Sequence, residues 1–150
     1  MSTVGSATVS GRFQARNGVF DLVHTKGLIG GSATAVAGKV LQPSDSGVVQ
    51  FVDASVGPYL IVLSNPSPGV KFTFILTVAG TQVSIAPATV SLLYGHIDEA
   101  AAGGPASFAA ASTMAFTASA LAGDRIEFIA DASRYYVTAV SGAAGGVTAV

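Results

Sequence analysis

The chain has 150 residues, no cysteine and a formal net charge of −1; 10% of its residues are charged and 50% are hydrophobic. Without cysteine, disulfides, thiolate nucleophiles and cysteine-based zinc sites are excluded, and the seven Lys and Arg residues are too scattered for a phosphate-tracking surface, which needs clustered positive charge. Ordinary soluble domains carry about 25% charged residues, so a surface this poor in charge is weakly protected against association and is expected to meet protein neighbours over much of its area.

A chain of this length suits one domain with a real core. Its abundant small and β-branched side chains favour strands and tight turns over amphipathic helices, which makes all-β the expected class. Met1-Ser-Thr-Val-Gly5 has no basic start followed by an apolar run, so no secretory signal is expected and synthesis in a cytoplasm follows. Residues 1–40 read as short β-prone pieces split by glycine: Ala7 to Ser10, Val19 to Thr25, Gly27 to Gly31 and Ala33 to Val40. They lack the bulk for a core and are expected to form an N-terminal extension that packs along the body or reaches a neighbour as an arm. Residues 41–150 are expected to form the folded β domain.

From Leu41 onward the cadence is regular. Val48 to Val52, Tyr59 to Leu63, Phe72 to Val78, Gln82 to Ile85 and Val90 to Tyr94 are candidate strands. Asp45-Ser-Gly47, Val56-Gly-Pro58, Asn65 to Gly69 and Ala79-Gly80-Thr81 supply the Gly, Pro and Asx chemistry of the turns between them. In the clearest core strand, Phe72, Phe74, Leu76 and Val78 share one face, with Thr73, Ile75 and Thr77 on the other. Phe72 to Ile97 carries no Asp, Glu, Lys or Arg and is long enough to span a bilayer, but Gly80, Gln82, Ser84, Pro87 and Ser91 interrupt it at strand-like intervals, so a membrane helix is not expected. Glu99 to Pro105 reads as an exposed loop, and Phe108 to Ala120 as a strand despite the helix-favouring Ala109 to Ala111.

Gly123-Asp124 opens a turn into a complete hairpin. Ile126 and Phe128 alternate with Arg125 and Glu127, Asp131-Ala-Ser133 reverses the chain, and Tyr135, Tyr136 and Val137 begin the return strand. Consecutive tyrosines in a regular strand point to opposite faces, so one is expected in the core and the other outward, as a packing or interface residue.

Candidate chemistry is sparse. Of the two histidines, His24 sits in a strand-like run with Asp21 on the opposite face, while His96 and Asp98 share a face beside Glu99. Two ligands do not make a metal site, and this cluster is expected to be a solvated strand end. Asp45, Asp53, Asp124 and Asp131 each occupy a turn where a carboxylate accepts backbone hydrogen bonds. There is no Gly-x-Ser-x-Gly elbow, no pair of carboxylates flanked by aromatic sugar platforms, and neither Gly27 to Gly31 nor Gly142 to Gly146 has the Lys-Ser/Thr ending of a phosphate loop. No enzyme activity and no cofactor are expected.

In their order and spacing, Ser44 to Gly47, Val49 to Asp53, Ile61 to Pro66, Gly69 to Phe74, Val83 to Ile85, Leu93 to Gly95 and the Gly123 to Val137 hairpin resemble the capsid decoration, or cement, proteins of tailed-bacteriophage virions. The resemblance covers residues 41–140. It departs where the last hairpin usually carries glycine in its turn and tryptophan on its return strand: Ala132 and Tyr135 stand there. The resemblance implies a compact β-sandwich or jelly-roll module, often trimeric, on the outer capsid surface of a virion. The implied partners are the major capsid protein and other copies of the chain, in a homotrimer, and not nucleic acid, a membrane or a small-molecule substrate. Arg12, Phe13, Phe20, Leu28 and Ile29 in the arm, Tyr135 and Tyr136 in the hairpin, and Val147 and Val150 at the C-terminal end are the expected interface residues. A receptor- or glycan-binding virion appendage and a non-viral filament subunit are the alternatives.

Overall fold

Alternation of side chains across the pleat decides which residues of each strand reach the core. The computed structural model describes residues 13–15, 18–20, 40–55, 57–89, 93–100 and 106–150. The strands are β1 (Phe13–Ala15), β2 (Gly18–Phe20), β3 (Val40–Leu41), β4 (Val49–Asp53), β5 (Tyr59–Leu63), β6 (Lys71–Val78), β7 (Val83–Pro87), β8 (Leu93–Glu99), β9 (Ala106–Ala111), β10 (Met114–Phe116), β11 (Arg125–Ala130), β12 (Tyr135–Ser141) and β13 (Val147–Ala149). A 3-10 turn spans Pro43–Asp45. The described residues contain no α-helix, and the all-β class expected from composition is the one observed.

Strands β1 and β2 pair as an antiparallel hairpin, Phe13 opposite Phe20. The other eleven form two mixed sheets, a five-stranded one in the order β13-β10-β7-β5-β3 and a six-stranded one in the order β4-β6-β11-β12-β8-β9. Consecutive strands from β3 to β7 alternate between the sheets. That makes β3 parallel to β5, β5 parallel to β7 and β4 parallel to β6. Parallel neighbours cannot be joined by a tight turn, and here each crossover is a strand lying in the opposite sheet.

Both sheets contribute to one core. Leu41, Ile61, Leu63, Ile85, Met114 and Phe116 come from the five-stranded sheet and Val52, Phe72, Phe74, Leu76, Leu93, Ile126, Phe128 and Tyr135 from the six-stranded one, all essentially inaccessible to solvent. Each such large apolar side chain contributes about 1.5–3 kcal/mol on burial. The aromatic centre is geometrically specific: Phe128 meets Phe74 edge-on at 5.7 Å and Tyr135 edge-on at 6.1 Å between centroids.

Strands expected at Val48 to Val52 and Gln82 to Ile85 are observed within two residues of those limits, and Tyr59 to Leu63 is observed as expected. Val78 departs from its expected core face and is exposed. The β4–β6 register shifts between Val52 and Asp53, so that Asp53 pairs with Val78 instead of Thr77, and such an irregularity turns the following side chains out of alternation. Of the strand expected at Val90 to Tyr94, the described residues Leu93 and Tyr94 are strand, and the strand runs on to Glu99, so that His96, Asp98 and Glu99 form its end. Residues 90–92 and most of the expected 99–105 loop lie outside the described residues, as do the β-prone pieces expected in the arm apart from Val19, Phe20 and Val40. Within the Phe108 to Ala120 stretch, strand covers the end of β9 through Ala111 and β10 (Met114–Phe116), while residues 112–113 and 117–120 are not strand.

Candidate functional site

The hairpin of β11 and β12 lies at the middle of the six-stranded sheet, and its pairing fixes which side chains share the outer face. Arg125, Glu127 and Ile129 on β11 stand opposite Val140, Thr138 and Tyr136 on β12. The same three β12 residues stand opposite Asp98, His96 and Tyr94 on β8. Beyond β11, Ile75, Thr73 and Lys71 of β6 continue the three rows, and Phe51 and Val49 of β4 extend two of them.

This face mixes apolar and charged groups. Phe51 is 53% exposed, Tyr136 49%, Ile129 47% and Val140 41%, a concentration of large apolar surface of the kind that marks interaction sites. Lys71 forms an ion pair with Glu127 on the neighbouring strand, and His96 Nε2 lies 3.7 Å from Asp98 Oδ2 on its own strand. Among the described residues Arg125 makes no ion pair. Tyr94, His96, Glu127, Ile129, Tyr136 and Thr138 line a groove of about 280 Å³ across one end of the face. A wider depression of about 580 Å³ lies on the other sheet, lined by Pro58, Tyr59, Leu60, Gln82, Ser84, Ala86 and Thr113.

The turn that closes the hairpin is built around Asp131. Its Oδ1 accepts the backbone N–H groups of Ser133 (2.6 Å) and Arg134 (2.8 Å), and its Oδ2 accepts the Tyr136 hydroxyl at 3.1 Å. Those backbone donors, with smaller contributions from the Ser133 and Tyr136 hydroxyls, hold the carboxyl down at about 2. The bond to Asp131 raises the Tyr136 phenol above its ordinary range. Arg134 lies over the Tyr94 ring, 4.7 Å from its centroid. The hairpin turn thus pins both tyrosines that border the groove.

The other turn carboxylates also accept backbone N–H donors: Asp45 from Gln42, Asp53 from Ser55, and Asp124 from Leu121 and Gly142. Asp124 does more than its turn position indicates. It is buried, and its Oδ2 also accepts the Ser141 hydroxyl at 2.9 Å, joining the start of β11 to the end of β12.

Two expected interface residues belong to the core. Tyr135 and Val147 are buried, because each falls on the inward phase of its strand; Tyr135 packs on Phe72 and Phe128, and Val147 stands opposite Phe116 on β10. Neither offers its side chain to a partner. Tyr136, the outward member of the pair, is on the surface, and so is Val150 at 77% exposure, although its backbone N–H and C=O pair with Thr113. Phe13 and Phe20 are register partners in the β1–β2 pairing; Arg12, Leu28 and Ile29 lie outside the described residues. Sequence reading missed Phe51, Arg125, Ile129 and Val140 as a joint face. Ile129 carries a signal in its spacing, since it continues the outward series Arg125, Glu127 with an apolar side chain.

Among the described residues no three His, Asp or Glu side chains are grouped so as to hold a metal ion, and no helix is long and apolar enough to cross a membrane. No family model, no curated protein and no solved structure matches the chain.

Proposed function

We propose that the chain is a structural virion protein, a decoration protein that binds the major capsid protein on the outer surface of a tailed-phage shell as a homotrimer and reinforces that shell. The observation that carries this reading is the broad outer face of the six-stranded sheet. In a chain with only 10% charged residues, it exposes Phe51, Ile129, Tyr136 and Val140 together, surface whose burial against a shell contributes only in the assembled particle. The all-β architecture and the resemblance of residues 41–140 support the same reading. Its mechanism is mass action: contacts made across shell subunits favour the closed particle over its separated parts. Particles stripped of the protein are expected to rupture at a lower temperature and lower internal pressure than complete ones, with rebinding restoring both. Equal durability with and without it overturns the proposal.

A specific observation favours one second reading, a glycan- or receptor-binding virion appendage. The groove between Tyr94 and Tyr136 combines aromatic rings with Glu127, His96 and Thr138, and sugar recognition uses such stacking surfaces beside hydrogen-bonding groups. Binding of the purified protein to an oligosaccharide array, lost in Tyr136→Ala, decides for it.

A further inference from the structure

The outer face of the six-stranded sheet is complementary to itself. Strand β12 has β11 on one side and β8 on the other, and the three rows that cross it pair unlike groups at equal distance from it: Arg125 and Asp98 flank Val140, Glu127 and His96 flank Thr138, and Ile129 and Tyr94 flank Tyr136. A half-turn about a line running along β12 in the plane of the face exchanges the two sides. It therefore sets each group of one copy against its counterpart on the other.

We propose that two copies of this chain pack these faces together about a two-fold axis along β12. Arg125 of each copy then meets Asp98 of the other, twice per pair, with Val140 against Val140 and Tyr136 against Tyr136 on the axis. Glu127, already neutralised by Lys71, meets His96, and Ile129 covers Tyr94. Arg125, which has no ion pair among the described residues of its own chain, gains one. An isologous contact of this kind needs self-complementarity of one patch and nothing else, and like charges face each other nowhere along the three rows.

The overlap is small. With the axis along β12, the strands β6, β11, β12, β8 and β9 are overlaid and β4 falls outside; spaced about 4.8 Å apart and about six residues long, the five cover roughly 19 by 20 Å, near 400 Å² per copy. Doubled, that is about 800 Å², the size of a weak and transient contact, so pairing is expected only where copies are concentrated. Face-to-face sheets pack about 10 Å apart, a span that the long Arg125 side chain crosses. The contact leaves the arm and the second sheet uncommitted; it uses the face assigned above to the shell, so it is a state of the protein off the particle, and pairing and shell binding exclude one another on any one copy.

Two charge reversals test it. Arg125→Asp puts Asp against Asp at both contacts, and Asp98→Arg puts Arg against Arg. Both positions are exposed, so each variant is expected to melt with the wild type. In sedimentation velocity across a concentration series, the two-fold step is expected to weaken about 100-fold in either single variant, halving the mass of the assembly at concentrations where wild type is paired. An equimolar mixture of the two variants restores pairing as a 1:1 heterodimer, and the double variant R125D/D98R restores it alone. A three-fold association made elsewhere on the chain persists in all of them. Wild type that forms no two-fold pair up to millimolar concentration, or pairing indifferent to either reversal, or a mixture that fails to associate, overturns the proposal.

Discussion

The phenolic hydroxyl of Tyr135 donates a 2.9 Å hydrogen bond to the backbone carbonyl of Ser64, 71 residues away in sequence. Tyr135 begins β12 in the middle of the six-stranded sheet, and Ser64 follows the last residue of β5 in the five-stranded one. The bond therefore ties the two sheets together at one end of the core. Burial raises the Tyr135 phenol above its ordinary range. Tyr135→Phe keeps the ring contacts with Phe72 and Phe128 and removes only the donor, an expected loss of about 1 kcal/mol. Urea unfolding checks it: the midpoint falls while the slope is unchanged. Tyr135→Ala, which also empties the aromatic cluster, is expected to cost about 3–5 kcal/mol.

Asp124 is the second long-range tie. Its carboxylate accepts the Leu121 N–H at 3.0 Å, the Gly142 N–H at 2.8 Å and the Ser141 hydroxyl at 2.9 Å from a buried position. Asp124→Ala orphans two backbone donors and leaves the Ser141 hydroxyl only the Ala143 carbonyl to donate to, and is expected to destabilise by about 3 kcal/mol. Ser141→Ala removes one of the three donors and is expected to cost about 1 kcal/mol. Asp124→Asn recovers little, because whichever way the amide turns, its NH2 faces a donor. The ordering, Ala and Asn at 124 both worse than Ala at 141, is what thermal unfolding of the three variants reads.

Gly95 allows β8 to lie against β12. It pairs in parallel with Val137, and a methyl group placed on it would overlap the Val137 carbonyl oxygen. The obstacle is backbone, which cannot rotate aside. Gly95→Ala is therefore expected to open the β8–β12 pairing at the centre of the outer face, with a loss of about 3 kcal/mol. Hydrogen exchange locates the damage: amides of β8 and β9 lose protection while those of β5 and β7 keep it. Uniform protection in the variant contradicts this account.

Period-2 patterning was legible where strands are half-buried. Phe72, Phe74 and Leu76 alternate with Thr73, Ile75 and Thr77, and Ile126 and Phe128 with Arg125 and Glu127, and the first-named of each set are core residues in the structure. Turn chemistry was legible for the same reason, since Asp45, Asp53, Asp124 and Asp131 act on backbone donors close in sequence. What escaped depends on partners distant along the chain. The register shift that turns Val78 outward exists only because β4 lies beside β6. The parallel pairing of β12 with β8 has no turn to announce it. Alternation alone puts Tyr135 and Tyr136 on opposite faces, but which of them is inward is set by the register with β11, where Ala130 stands opposite Tyr135 and Ile129 opposite Tyr136. Val147 is a core residue and not a terminal contact because it stands opposite Phe116 on β10, a partner 31 positions away that no local pattern announces.

The turn at Asp131 carries a pH dependence whose sign follows from its hydrogen bonds. Donors from Ser133, Arg134 and Tyr136 favour the ionised carboxyl in the folded protein, placing it at about 2 against an ordinary 3.8. A group depressed on folding stabilises above its unfolded value, and that stabilisation is lost as pH falls through the interval between the two. Asp131→Asn removes the titration while keeping a side-chain oxygen that accepts from one backbone N–H. The difference in unfolding free energy between wild type and Asp131→Asn is thus expected to be constant from pH 7 down to about 5, then to shrink steadily toward pH 2. The group is at the surface, so the difference is small and needs paired denaturant titrations at each pH. A difference that stays level down to pH 2 means that the turn is held by its backbone and that the carboxylate charge contributes nothing to it.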